Sequence, residues 1–302
     1  MKWGIALGGG GAKGVAHIGV LSVLEAAGVP IEIVTGTSAG AIVGALYAAG
    51  KSPDEIRQII RRLTLRQWLA RDRTGMGLFS TDGVRRLIEA EIGAGACIED
   101  LPRKFAAVAV DMDSQQEVVF DAGLVADAVC ASAAFPGILA PVQIAGRWFL
   151  DGGLLNPVPV DAARQLGAAR VIAVDLAADE PLLTSDMLQQ GRRDALFFRF
   201  ISTTEQQKLF RVAVRSIGIM CQQIRLAKAE RCPPEVTIRP EVEKVGLVDF
   251  DLAEVALAAG ETAARAALPQ IERLMAPSAR ERLRGGWRKI TRRRGESAAR
   301  NQ

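Results

Sequence analysis

The chain has 302 residues, 49% of them hydrophobic and only 5% aromatic, with a formal net charge of +4. That length holds one large α/β domain or two small ones, and a composition rich in alanine and glycine suits helix-on-sheet packing better than an all-β design. No uncharged apolar run reaches a membrane-spanning length, because the best early stretch is broken by Lys13, His17, Glu25 and Glu32, so no transmembrane helix is expected.

The first element, Trp3 to Leu7, reads as a strand that runs straight into glycines. It is too short for the apolar region of a signal peptide, so no leader is expected. A glycine loop (residues 8–14), a helix (15–27), a turn at Gly28-Val29-Pro30 and a second strand (31–34) follow. Gly36-Thr37-Ser38-Ala39-Gly40 then makes a sharp turn into an apolar helix over 41–48. A right-handed crossover makes the two strands parallel, so the glycine loop and the serine turn share one sheet edge, with two helix N-termini aimed at one spot.

Ser52-Pro53-Asp54-Glu55 is a capping box with proline at the first helical position. Residues 65–80, polar, basic and glycine-containing, read as a loop or mobile cap, and Ser80 or Thr81 caps a helix that buries Val84, Leu87, Ile88 and Ile92. Strands are expected at 105–110 and 117–120, a helix at 127–134, and a hairpin through Ala145-Gly146-Arg147 leading into Asp151-Gly152-Gly153. A helix over 161–166, a strand over 171–174, a long amphipathic helix over 189–229, a strand over 235–239 and a helix over 251–275 interrupted at Pro269 complete the pattern. On the long helix, Leu209, Val212, Ile217 and Met220 form an apolar stripe, for which core or subunit contact is the favoured reading.

Cys97, Cys130, Cys221 and Cys232 lack the paired spacing of a zinc site or a disulfide framework, which points to core thiols in a reducing, cytoplasmic setting. From Ala279 to Gln302 there are nine basic residues against Glu281 and Glu296, so this stretch carries +7 and leaves −3 for the rest. Residues 1–277 are therefore expected to form the folded domain and 278–302 a solvated basic tail. Contact between that tail and anionic lipid headgroups is a second reading, and nucleic acid is disfavoured because Trp287 alone interrupts the bases as a stacking aromatic.

Strand, sharp turn and helix around Gly36-Thr37-Ser38-Ala39-Gly40 is the setting of a nucleophile elbow, against the simpler reading of Ser38 as a helix cap. Attack on a carbonyl also needs a base and a place for the developing oxyanion. Gly9-Gly10-Gly11-Ala12-Lys13-Gly14 can supply the second through backbone N–H groups that no Cβ obstructs. The same glycine spacing fits a dinucleotide fingerprint, hence an NAD(P)-dependent oxidoreductase. That reading wants an acid at the end of the second strand, where Val34-Thr35 runs into Gly36 instead. Lys13 is followed by Gly14, which excludes a P-loop. The base is the unusual part. His17 is the one histidine, and its place one turn into an apolar helix favours packing. A desolvated carboxylate is the alternative, with Asp151, Asp175, Asp111 and Asp113 all in suitable positions.

Three blocks in this order, Gly9-Gly10-Gly11-Ala12-Lys13-Gly14, Gly36-Thr37-Ser38-Ala39-Gly40 and Asp151-Gly152-Gly153, resemble the patatin-like phospholipases, and the small bacterial members in particular. Ala131-Ser132-Ala133-Ala134-Phe135-Pro136-Gly137 and Asn156-Pro157-Val158-Pro159 resemble the family as well, and the likeness spans roughly residues 3–175. The resemblance implies a three-layer α/β/α sandwich with a mostly parallel sheet. It also implies a Ser38–Asp151 dyad, and an oxyanion hole from Gly9, Gly10, Gly11 and Ala39. Ala12, Lys13, Gly14, Gly36, Gly40, Gly152 and Gly153 then act as motif support, Lys13 with a possible part in placing a headgroup phosphate. The implied activity is hydrolysis of lipid or phospholipid esters with neither metal nor cofactor, and under it Leu209, Val212, Ile217 and Met220 of the long helix could flank an acyl groove, with core or subunit contact still favoured. A non-catalytic lipid-binding or regulatory member is the remaining alternative. Asp-Gly-Gly stands where many members have Asp-Gly-Ala.

Overall fold

The structure is a computed structural model that describes residues 2–62, 70–176, 204–246 and 249–276. Ten strands are present among these residues: β1 (Trp3–Leu7), β2 (Ile31–Thr37), β3 (Gly77–Phe79), β4 (Lys104–Asp111), β5 (Glu117–Phe120), β6 (Gly137–Leu139), β7 (Val142–Ile144), β8 (Arg147–Asp151), β9 (Arg170–Val174) and β10 (Val236–Ile238). The helices are α1 (Ala16–Ala26), α2 (Ala39–Ala48), α3 (Pro53–Arg62), α4 (Asp82–Glu91), α5 (Val125–Ala133), α6 (Val160–Gln165), α7 (Thr204–Arg231) and α8 (Ala253–Met275).

Eight strands form the main sheet. β10, β9, β1, β2 and β4 lie parallel in that order, and β5, β8 and β7 join as antiparallel partners. Alternation along β1 shows how the layers arise. Trp3, Ile5 and Leu7 face the large core shared with α1, α2 and α8, whereas Ala6 faces a smaller core with Ile33, Val171, Ala173 and Ala163 of α6. Helices on both faces of a mostly parallel sheet make a three-layer α/β/α sandwich.

The register of β4 positions the site. Val108 is paired on one edge with Thr37 of β2 and on the other with Val119 of β5. Ala109 is still paired with β5 through Val118, so its other partner, Asp151 of β8, must lie on the edge that β2 occupies. β2 running up and β8 running down therefore meet end to end along one edge of β4.

Local expectations hold where the chemistry is local. In the capping box the Ser52 N–H donates to Glu55 Oε2 at 2.8 Å and the Glu55 N–H to Ser52 Oγ at 3.3 Å. The Ala145-Gly146 turn has both residues at positive φ, 49° and 83°, as a tight two-residue hairpin requires. Three expectations are corrected. The loop expected over 65–80 contains β3, which pairs in parallel with β6 and buries Phe79 completely; residues 63–69 lie outside the described part. The interruption expected at Pro269 does not occur: α8 runs through it, held beyond the proline by the fully buried Ile271. The described part of the long helix runs from Thr204 to Arg231, with 189–203 outside the described residues, and Leu209, Val212 and Met220 on it face solvent rather than a groove. The basic stretch 278–302 also lies outside them. No described helix is long and apolar enough to cross a membrane.

Candidate active site

Ser38 stands between β2 and α2 at φ 55°, ψ −121°, a left-handed conformation that ordinary side chains avoid at a cost of about 1–3 kcal/mol. Close packing enforces it. A Cβ on Gly40 would lie 2.1 Å from the Leu7 carbonyl oxygen, so α2 crosses the end of β1 with no room for a side chain. A Cβ on Gly14 would lie 2.5 Å from that of Ala39, so the glycine loop and the serine turn interlock. The Ser38 N–H donates to the buried Ser132 hydroxyl of α5 at 2.9 Å. Ser132 was legible only as part of the family-like stretch; its role as the acceptor that holds the turn comes from the fold.

The glycine loop is held from behind. His17 is wholly buried, and its Nε2 bonds the Gly8 carbonyl at 2.7 Å. Burial pushes its pKa down to about 4, opposed by that bond, so the ring is neutral and donates through Nε2. The packing role expected for His17 is thus accompanied by a specific bond to the loop. The segment after Asp151 supplies the remaining ties. The Pro157 carbonyl accepts the Gly9 N–H at 3.0 Å, the Asn156 carbonyl accepts Thr37 Oγ1 at 2.8 Å, and the Pro159 carbonyl accepts Thr35 Oγ1 at 2.9 Å.

These bonds sort the four expected oxyanion donors. The Gly9 N–H is engaged with Pro157, so Gly9 cannot donate to a ligand in this arrangement. The N–H groups of Gly10, Gly11 and Ala39 donate to no described residue, and they stand on the two turns that interlock beside Ser38. Lys13 is buried, and burial lowers the pKa of its ammonium, with Glu243 opposing. Its side chain is therefore buried rather than reaching outward.

Asp151 ends β8 almost without exposure. Its Oδ1 accepts the Gly153 N–H at 2.7 Å. Burial raises its pKa to about 6, opposed by the Ser38 hydroxyl and the Gly153 N–H. The hydroxyl is thus near enough to act on the carboxylate, yet Oδ2 has no partner of hydrogen-bond geometry. A close approach that is not yet a formed bond is common before substrate binds. The other carboxylates are engaged elsewhere. Asp175 pairs with Arg225 at 2.5 Å, and Asp111 is held below its usual range, chiefly by the Ser114 N–H, with Arg147 also paired to it. Asp113 is exposed in the β4–β5 turn. Strand β2 ends on Thr37 and offers no acid for a ribose, and no described cluster of His, Cys, Asp and Glu could hold a metal ion.

A sequence profile of the patatin-like phospholipase family matches residues 5–164. An uncharacterized NTE family protein of Mycobacterium tuberculosis is 33% identical over 275 residues, covering 88% of this chain and 46% of its own length. The lysophospholipase NTE1 of Saccharomyces cerevisiae is 29% identical over 269 residues, covering 82% of this chain and 15% of its own. The chain thus spans about half the length of the mycobacterial relative and much less of the yeast one. Among solved structures, VipD from Legionella pneumophila aligns with a TM-score of 0.55 at 14% identity, over 90% of this chain and 66% of its own, a likeness of fold alone. With a family profile covering more than half of the residues and the three glycine-bearing blocks meeting in one place, the chain belongs to the patatin-like phospholipase family.

Proposed function

We propose that the chain is a lipid ester hydrolase that works through a Ser38–Asp151 dyad. Asp151 takes the proton of the Ser38 hydroxyl as Oγ attacks the ester carbonyl, and the tetrahedral oxyanion is received by the N–H groups of Gly10, Gly11 and Ala39. Collapse returns the proton from Asp151 to the leaving alcohol oxygen and leaves the acyl group on Ser38. Water, deprotonated by Asp151, then releases the fatty acid and restores both side chains.

The observation that supports this most directly is Asp151 itself: a buried carboxylate with a pKa raised to about 6, one oxygen held by Gly153 and the other without a bonded partner beside the Ser38 hydroxyl. A carboxylate of ordinary pKa is a weak base, and partial desolvation brings it toward the pH at which it must act. The yeast relative is named as a lysophospholipase, which makes a lysophospholipid the first natural substrate to test.

A fluorophosphonate probe, with hydrolysis of a short-chain soluble ester, tests the assignment. Wild type should be labelled and active, Ser38→Ala neither, and Asp151→Asn inactive with its fold intact. Labelling that persists in Ser38→Ala would overturn the nucleophile. Loss of activity in Asp175→Asn with retention in Asp151→Asn would overturn the base.

A further inference from the structure

Helix α7 packs one side against the body of the protein. Val214 and Arg225 are buried there, Arg225 pairs with Asp175, and Lys228 binds both Glu117 and Asp161. The same helix contacts the short turn Gly152–Leu154 that follows Asp151. Its other side is uncovered. Leu209, Val212, Ile219, Met220 and Leu226 are between 47% and 71% exposed, and at 100° per residue they fall within an arc of about 120°. The positions between them on that arc are Ser216 and Gln223, so about 26 Å of helix from Leu209 to Leu226 presents an apolar stripe without a charge.

Isolated exposed apolar residues are ordinary, but an aligned stripe of this length marks a surface that something covers. The charges indicate what. Over its whole length α7 carries six basic residues and two acids, Glu205 and Glu230, one near each end. Arg225 and Lys228 turn inward to acids, while Lys208 and Arg215 border the stripe by helical position. A second copy of the chain related by a two-fold axis would set bases against bases along most of the stripe, with acids only at Glu205 and Glu230 near the helix ends. An apolar face bordered by bases instead matches the boundary between acyl chains and anionic headgroups.

We infer that the outer face of α7 is a docking surface for an anionic lipid bilayer, in which Leu209, Val212, Ile219, Met220 and Leu226 enter the acyl boundary while Lys208 and Arg215 meet the headgroups. The choice of a bilayer rests in part on the proposed lipid hydrolysis. Because α7 contacts the turn after Asp151, the docked face lies one helix away from the Ser38 site.

Flotation of the intact chain with phosphatidylcholine vesicles, with and without phosphatidylglycerol, tests this. Wild type and Ser38→Ala should both float with the anionic vesicles and poorly with the neutral ones. Ile219→Asp combined with Met220→Asp should lower the bound fraction about tenfold or more while leaving hydrolysis of a soluble short-chain ester unchanged, which shows that the fold survives. Unaltered flotation of that double variant would overturn the inference. So would dependence on the tail instead, seen as loss of flotation when Arg292, Arg293 and Arg294 become glutamine while the double variant still binds. A wild-type dimer that the double variant converts to monomer would assign the stripe to a second copy. Flotation as expected by a chain that hydrolyses no ester would sink the proposed reaction and leave the docking surface standing.

Discussion

Asp151→Asn should make the protein more stable at neutral pH while abolishing its activity. The wild-type carboxyl is buried, and burial raises its pKa from 3.8 to about 6. Between those values the folded state holds a proton that the unfolded chain has released. Stability is therefore greatest below pH 3.8 as far as this group is concerned, falls as pH rises to about 6, and is level above it. The lost free energy is on the order of 3 kcal/mol, from 1.36 kcal/mol for each pH unit. Asparagine matches the protonated acid in size and keeps an oxygen for the Gly153 N–H, which now bonds Asp151 Oδ1 at 2.7 Å. It carries no charge to desolvate.

Urea unfolding at pH 7.5 and at pH 4 measures this. The Asn variant should exceed wild type by up to about 3 kcal/mol at pH 7.5, with the gap closing toward pH 4. A gap that is independent of pH would refute the reasoning, as would an Asn variant clearly less stable than wild type at pH 7.5. Either result would mean that burial of the charge is not what perturbs Asp151.

Other expectations concern the same few atoms. The pH profile of kcat/KM should show an acid limb near 6, where Asp151 ionises, and a limb below 5 would mean the base is not desolvated. Ser132→Ala removes the acceptor of the Ser38 N–H and should lower kcat about ten- to a hundredfold with little change in KM, with partial recovery in Ser132→Thr; an unchanged kcat would show that packing alone holds the turn. His17→Gln can still donate to the Gly8 carbonyl and should keep most of the ester hydrolysis of wild type, whereas His17→Phe leaves that buried carbonyl without its donor and should destabilise the fold by about 1–3 kcal/mol. Loss of activity in His17→Gln with the fold intact would give the histidine a chemical role.

What was legible in the sequence was local. The Ser52–Glu55 box, the Ala145-Gly146 turn and the strand–loop–helix order of the first 48 residues each follow from neighbours in the chain, and each is found. The short β3–β6 pair was missed because Gly77–Phe79 pairs with residues 60 positions away, and three residues carry no periodicity of their own. Pro269 misled because a local breaker was weighed without the burial of Ile271 beyond it. The candidate site shows the same division. The glycines and Ser38 announce themselves through spacing, but spacing does not rank Asp151 above Asp175, Asp111 and Asp113. Their difference lies in partners remote in sequence, such as Arg225 for Asp175 and Arg147 for Asp111. That Gly9 is engaged by Pro157 is likewise a fact of tertiary packing.

The end-to-end meeting of β2 and β8 explains how a serine and a carboxylate can adjoin without a histidine between them. Thr37 is paired with Val108 and Asp151 with Ala109, so the residue before Ser38 and the carboxylate stand on successive rungs of one strand, about 3.3 Å apart along it. The two glycines after Asp151 should then respond in opposite ways to the same change. A Cβ at Gly152 would sit 2.1 Å from the Val108 carbonyl oxygen, backbone that cannot yield without separating β8 from β4. A Cβ at Gly153 would meet Asp151 Oδ1 at 3.0 Å, Thr37 Cγ2 at 3.8 Å and Asp151 Cγ at 3.9 Å, contacts that a shift of a few tenths of an ångström relieves. Gly152→Ala should therefore lose both activity and stability. Gly153→Ala, which recreates the Asp-Gly-Ala form that many members of the family carry, should retain ester hydrolysis and wild-type unfolding. Comparable activity in the two alanine variants would mean that the rungs of β4 do not fix where Asp151 stands.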